Sequence, residues 1–142
     1  MTRQRAALWL AVLLVILVGA WQAWKLHADN QRLMREAHYQ STLRAYSSQV
    51  KLGSTRLEVE RYLDSNKLPF NQICCVNDET AYADIVKIGE EDAPWYCGEH
   101  NIYIAFDFHS PHTGKESAAA ISASPEDSLV EISRWGRLEN CL

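Results

Sequence analysis

The chain has 142 residues, the length of one domain with a modest core, and its 47% apolar content with five Trp and six Tyr excludes disorder throughout. The net charge of -4 hides a division: residues 25–67 carry eight Lys/Arg against five Asp/Glu, and residues 68–142 carry four against thirteen. The larger, acidic half offers no basic face to displace counterions from phosphates, so nucleic acid is set aside as a partner.

Residues 6–19 contain no charged or strongly polar side chain. With Ala20, Trp21, Ala23 and Trp24 the apolar stretch approaches the roughly 20 residues that span a bilayer's hydrocarbon core. Arg3 and Arg5 precede it, Lys25 follows it, and Trp9, Trp21 and Trp24 lie towards its ends, where indoles favour the interface. Residues 1–24 therefore read as an uncleaved transmembrane anchor, with the lipid bilayer as a partner through residues 6–24. The competing reading is a signal peptide cut after Ala20, which would leave a secreted, inhibitor-like domain. Trp21 directly after the cut and the continuing apolar run favour the anchor. Flanking charges do not fix the orientation, so cysteine usage decides it.

Cys74, Cys75, Cys97 and Cys141 all lie downstream of the anchor, an even set that reads as two disulfides in an exported, oxidising compartment. That places the N-terminus in the cytoplasm and the C-terminal domain outside it. Adjacent side chains on a strand point to opposite faces, so the expectation is one of Cys74 and Cys75 bonded to Cys97 and the other to Cys141. A zinc reading, from Cys97-x-x-His100 with His109 and His112 close by, lacks a paired C-x-x-C knuckle and needs reduced thiols.

Residues 25–50 contain no Pro or Gly and read as a helical stalk continuing out of the bilayer. Tyr39, Leu43, Tyr46 and Val50 recur on one helical face, and Leu26, Leu33 and Ala37 form a weaker stripe before them. The later stripe is expected to pack on the domain rather than form a coiled-coil seam. Gly53 ends the stalk. Thr55-Arg56-Leu57-Glu58 is a capping box opening a second helix, with Val59, Tyr62 and Leu63 on its inner face and a stop near Asn66 and Pro69.

Strands follow. Residues 70–76 are short and β-rich; residues 82–88 place Tyr82, Val86 and Ile88 on one face and Ile85 on the other, after a turn at residues 77–80. Residues 102–108 form the strongest strand, with Ile102, Ile104, Phe106 and Phe108 on one face. Residues 109–127, rich in Ser, Ala, Pro and Gly, read as a flexible loop, and residues 129–135 close the pattern. The fold class is α+β: a transmembrane helix continuing into a stalk, then a second helix on a three- or four-stranded antiparallel sheet. The domain proper covers residues 51–142.

Residues 51–63, Lys-Leu-Gly-Ser-Thr-Arg-Leu-Glu-Val-Glu-Arg-Tyr-Leu, resemble the "GMT…EV…L" signature of the SmpA/OmlA (BamE-like) envelope domains. The resemblance covers that motif and the order of elements. It implies two helices against a small antiparallel sheet, an envelope location and protein–protein binding. The chain departs from the pattern at Ser54, where Met is usual, and lacks the lipid-attachment Cys.

No G-x-S-x-G elbow, P-loop, dinucleotide fingerprint or H-E-x-x-H motif occurs, so no catalytic residue, metal ligand or cofactor is assigned and the chain is not expected to be an enzyme. His27 and His38 read as surface positions on the stalk. An alternative thiol- or metal-based enzyme or sensor would use Cys97, His100, His109 and His112, with Asp107 as a partner for His109. Glu90-Glu91-Asp92 lacks the spaced pattern of a calcium loop and reads as a solvated turn. Trp95-Tyr96, flanked by Pro94 and Gly98, either buries over the sheet edge or forms a partner-binding patch. The reading that results is a single-pass, membrane-anchored interaction or scaffolding domain of the cell envelope, with an unidentified envelope protein as partner. Nothing in the sequence fixes an oligomeric state.

Overall fold

The computed structural model describes residues 2–74, 76, 82–109 and 123–142, with side chains from residue 8 onward. In chain order the elements are α1 (Thr2–Gln49), α2 (Arg56–Ser65), β1 (Asn71–Cys74), β2 (Tyr82–Glu91), β3 (Cys97–His109) and β4 (Ser128–Cys141). The chain divides into two compact units, Met1–His38 and Tyr39–Leu142.

The first unit is helix alone. Leu8, Leu13, Ile16, Leu17, Trp21 and Trp24 all stand exposed on it. Leaving a large aliphatic side chain in water forgoes roughly 1.5–3 kcal/mol each, so this surface calls for an apolar solvent. Leu8–Gln49 is long and apolar enough to cross a membrane. Leu26 and Leu33, the weaker stripe, are also exposed.

The second unit begins with the last turns of α1. Tyr39, Tyr46 and Val50 are buried and Leu43 is partly so, as the expected stripe requires. Gly53, at φ +87°, makes the link to α2 in a conformation that other residues rarely adopt, and its N–H donates to the Leu129 carbonyl at 2.8 Å. The capping box forms in full: Thr55 accepts from the Glu58 amide, and the Glu58 carboxylate accepts from the Thr55 amide at 2.8 Å. Such a cap contributes about 1 kcal/mol.

The sheet is a four-stranded antiparallel meander in the order β1-β2-β3-β4. One face packs Val86, Ile104, Phe106, Phe108 and Leu129 against Tyr46, Val50, Val59 and Leu63 of the helices. The Tyr46 and Phe106 rings meet edge to face at 5.7 Å. The other face carries a smaller cluster of Ile85, Tyr103 and Ala105 with Ile73, Val76 and Trp135. The centre of β3 is therefore buried on both sides, and Asp107 is 6% exposed.

A register shift between Lys87 and Gly89 bulges β2 and brings Gly89 beneath Tyr39. A Cβ at Gly89 would lie 2.8 Å from the Tyr39 ring, so only glycine lets the helix seat here. β3 and β4 extend past their apolar cores: β3 starts at Cys97 and β4 runs to Cys141. Glu90 and Glu91, expected in a solvated turn, belong to β2. Of the expected loop at residues 109–127, His109 belongs to β3, residues 110–122 lie outside the described residues, and residues 124–127 pack on the start of α2. The turn at residues 77–80 lies outside them as well.

Candidate interaction surface

The connection between β2 and β3 sets the candidate surface. Pro94 supplies the carbonyl that accepts from the Cys97 amide at 2.9 Å, closing a tight turn around Trp95 and Tyr96. Both side chains face outward: Trp95 is 90% exposed and Tyr96 44%. Their rings contact each other edge to face at 5.8 Å. The aromatic pair is thus a patch on the surface, and the reading that buries it over the sheet edge is corrected.

A disulfide fixes the base of the turn. Cys97 and Cys141 are direct partners in the β3–β4 register and bond to each other, with Cα atoms 3.9 Å apart. The Leu142 amide then donates to the Tyr96 carbonyl at 2.8 Å, drawing the end of β4 onto the aromatic turn. This corrects the expected pairing of Cys97 and Cys141 with Cys74 and Cys75. The reason is topological: β2 lies between β1 and β3, and Cys74 pairs with Tyr82 at the far end of β2 from the turn. Cys74 is also disulfide-bonded; Cys75 lies outside the described residues.

Polar groups line both faces of the strands that lead to this turn. Glu91 accepts from Arg134 at 2.7 Å and lies 3.8 Å from His100, while the Arg134 guanidinium stacks 4.8 Å over the Tyr39 ring. On the opposite face the buried Asn101 amide donates to Glu99 at 2.9 Å and Glu139 at 3.1 Å. The Tyr103 hydroxyl donates to Glu139 at 3.3 Å, and burial, with the Glu139 charge adding to it, holds its proton more tightly than usual.

The residues of the metal or thiol reading are not brought together. Cys97 and His109 open and close the 13 residues of β3, so about 40 Å of strand separates them. His100 stands about 30 Å of strand from His109. His112 lies outside the described residues. Cys97 is oxidised and offers no thiolate. A groove of about 290 Å³ between Ser47, Val50 and Leu52 and the start of β4 at Val130, Glu131 and Ile132 has one charged group and no convergent set of polar ones.

One cluster was invisible to the sequence reading. Arg56, the first residue of α2, is 2% exposed and reaches across the core edge to Asp84 of β2 and Asp127 just before β4. An arginine directly after a capping threonine reads as a solvated residue of a first turn, and neither aspartate lies in a motif. The one local signal is Asp84, set between Ala83 and the apolar pair Ile85 and Val86. Comparison with protein-family models, with curated proteins and with solved structures finds no match for this chain.

Proposed function

We propose that this is a single-pass membrane protein whose α+β domain lies on the exported side of the membrane and acts there as a non-catalytic protein-interaction module of the cell envelope. The observation that carries the reading is the Trp95–Tyr96 pair. A tryptophan at 90% exposure, on a turn stapled by Cys97–Cys141 and braced by the Tyr96 ring, is a rigid apolar anchor. Aromatic side chains presented with little conformational freedom are the residues that dominate binding at protein interfaces. The exported location draws on the oxidised Cys74, Cys97 and Cys141, since disulfides persist in oxidising compartments. The resemblance of residues 51–63 to SmpA/OmlA envelope domains points the same way.

The test is photo-crosslinking in intact cells. A benzophenone side chain is placed at position 95 and, as a control on the same domain, at the exposed Leu57. A discrete protein adduct from position 95 that disappears on adding Tyr96→Ala, with none from position 57, supports the reading. Equal or absent adducts from both positions would sink it.

A further inference from the structure

Arg56, Asp84 and Asp127 bring one positive and two negative charges into a site closed to water, with exposures of 2%, 0% and 2%. Arg56 Nη1 donates to Asp84 Oδ1 at 2.6 Å, and its Nε and Nη2 donate to Asp127 Oδ2 at 3.3 and 3.2 Å. Nη2 also donates to the Tyr82 carbonyl at 2.8 Å, and the Phe108 ring lies 4.0 Å beneath the guanidinium. Asp84 Oδ2 and Asp127 Oδ1 find no hydrogen-bond partner among the described residues. Asp84 is faced by Arg56 and Glu60 from α2 and by Asp127 from the segment before β4. Across the strands it meets Gln72 of β1 and Phe106 of β3. Among the described residues one arginine faces two buried carboxylates, which leaves a surplus negative charge there unless the site also holds a proton.

The same residues clasp the backbone. The Arg56 amide donates to the Asp127 carbonyl at 2.8 Å, the Leu57 amide to the Pro125 carbonyl at 3.1 Å, and the Ser124 amide to Asp127 Oδ2 at 2.8 Å. Residues 124–127 thereby cap the start of α2, and Pro125 and Glu126 form the outer, exposed layer of that cap.

We propose that this cluster is a proton-operated clasp: a proton held on the buried Asp84 carboxyl locks residues 124–127 onto α2, and its loss releases them. A buried carboxylate that gives up its proton regains solvation by local opening, and residues 124–127 are joined to the cluster through Asp127 itself. Burial pushes the Asp84 carboxyl from 3.8 up to about 7; Arg56 opposes the shift, while Glu60 and Asp127 add to it. The clasp therefore turns over in the neutral range. This inference stands apart from the aromatic patch, at the other end of the same strands.

The test is amide hydrogen exchange on the full chain in detergent micelles at about pH 5.5 and about pH 8.5, corrected for intrinsic rates. Protection of the Arg56 and Leu57 amides should fall by ~10-fold or more at the higher pH, while the Ile104 amide at the centre of β3 keeps its protection. Asp84→Asn, which removes the titration and keeps an oxygen for Arg56 Nη1, should abolish the fall. Equal protection at both pH values, or an equal fall in Asp84→Asn, would overturn the proposal. If that variant does not fold, the Asp84 carboxyl carbon of the unsubstituted protein is titrated by NMR. A midpoint above about 5.5 supports the clasp and one below it overturns it.

Discussion

The two ends of the sheet invert the usual rule of what belongs inside. At one end Arg56, Asp84 and Asp127 bury three charged groups beneath the start of α2; at the other, Trp95 and Tyr96 hold two aromatic rings out in solvent. Phe108 and Cys97 mark these ends on β3, roughly 35 Å of strand apart. Each inversion has its own support. The charges are held by four hydrogen bonds from one guanidinium, and the aromatics by a disulfide and a turn. The contrast separates a costly structural feature that orders the fold from an exposed one that the fold does not need. The two ends should therefore respond differently to substitution.

Arg56→Ala gives the largest expected effect. It removes the cation that pairs both buried carboxylates, and breaking a buried pair from one side costs about 3–5 kcal/mol. Urea unfolding of the full chain in micelles should show the midpoint fall accordingly; a loss below about 1 kcal/mol would mean the buried charges are already hydrated. Cys97→Ser with Cys141→Ser comes next. Removing a bridge across 44 residues should cost about 2–4 kcal/mol, read from the same experiment, without changing the Asp84 titration.

The pH response sharpens the comparison further. Asp84 has a higher proton affinity in the folded chain, about 7, than its ordinary value of 3.8. Its contribution to stability is fully present below pH 3.8 and is lost as pH rises through about 7. Subtracting the stability–pH profile of Asp84→Asn from that of the unsubstituted protein should isolate a decline over this window. A flat difference, or a rise, would contradict the buried-charge account. The smallest effect on stability belongs to Trp95→Ala, expected within about 0.5 kcal/mol because the side chain buries almost nothing. A change above about 1.5 kcal/mol would return Trp95 to the fold and remove it from the proposed interface.

Much of the fold is legible in the sequence, for reasons that can be named. The Thr55–Glu58 box marks α2 because both its bonds are local, and residues 102–108 mark β3 because every second side chain is apolar. The ends of β3 and β4 are not legible. Gly98, Glu99, His100 and Asn101, and opposite them Arg137, Glu139 and Asn140, have weak strand preferences; they are extended because each strand templates the other and the Cys97–Cys141 bond closes the pair. Trp95 and Tyr96 stand out in the sequence, but their exposure is a property of the folded turn that no local pattern states. The disulfide pairing depends on strand order, which no cysteine spacing encodes. Arg56 is hidden for a similar reason, since its two partners lie 28 and 71 residues away.

The central claim is a membrane-anchored chain with an oxidised domain outside the cytoplasm. Thiol alkylation of the native membrane fraction, with and without prior reduction and read by intact mass, tests it most directly. The account predicts a full-length mass, resistance to carbonate extraction, and no alkylation of Cys97 or Cys141 until reductant is added. A mass lacking residues 1–20, release by carbonate, or thiols that react without reduction would contradict it.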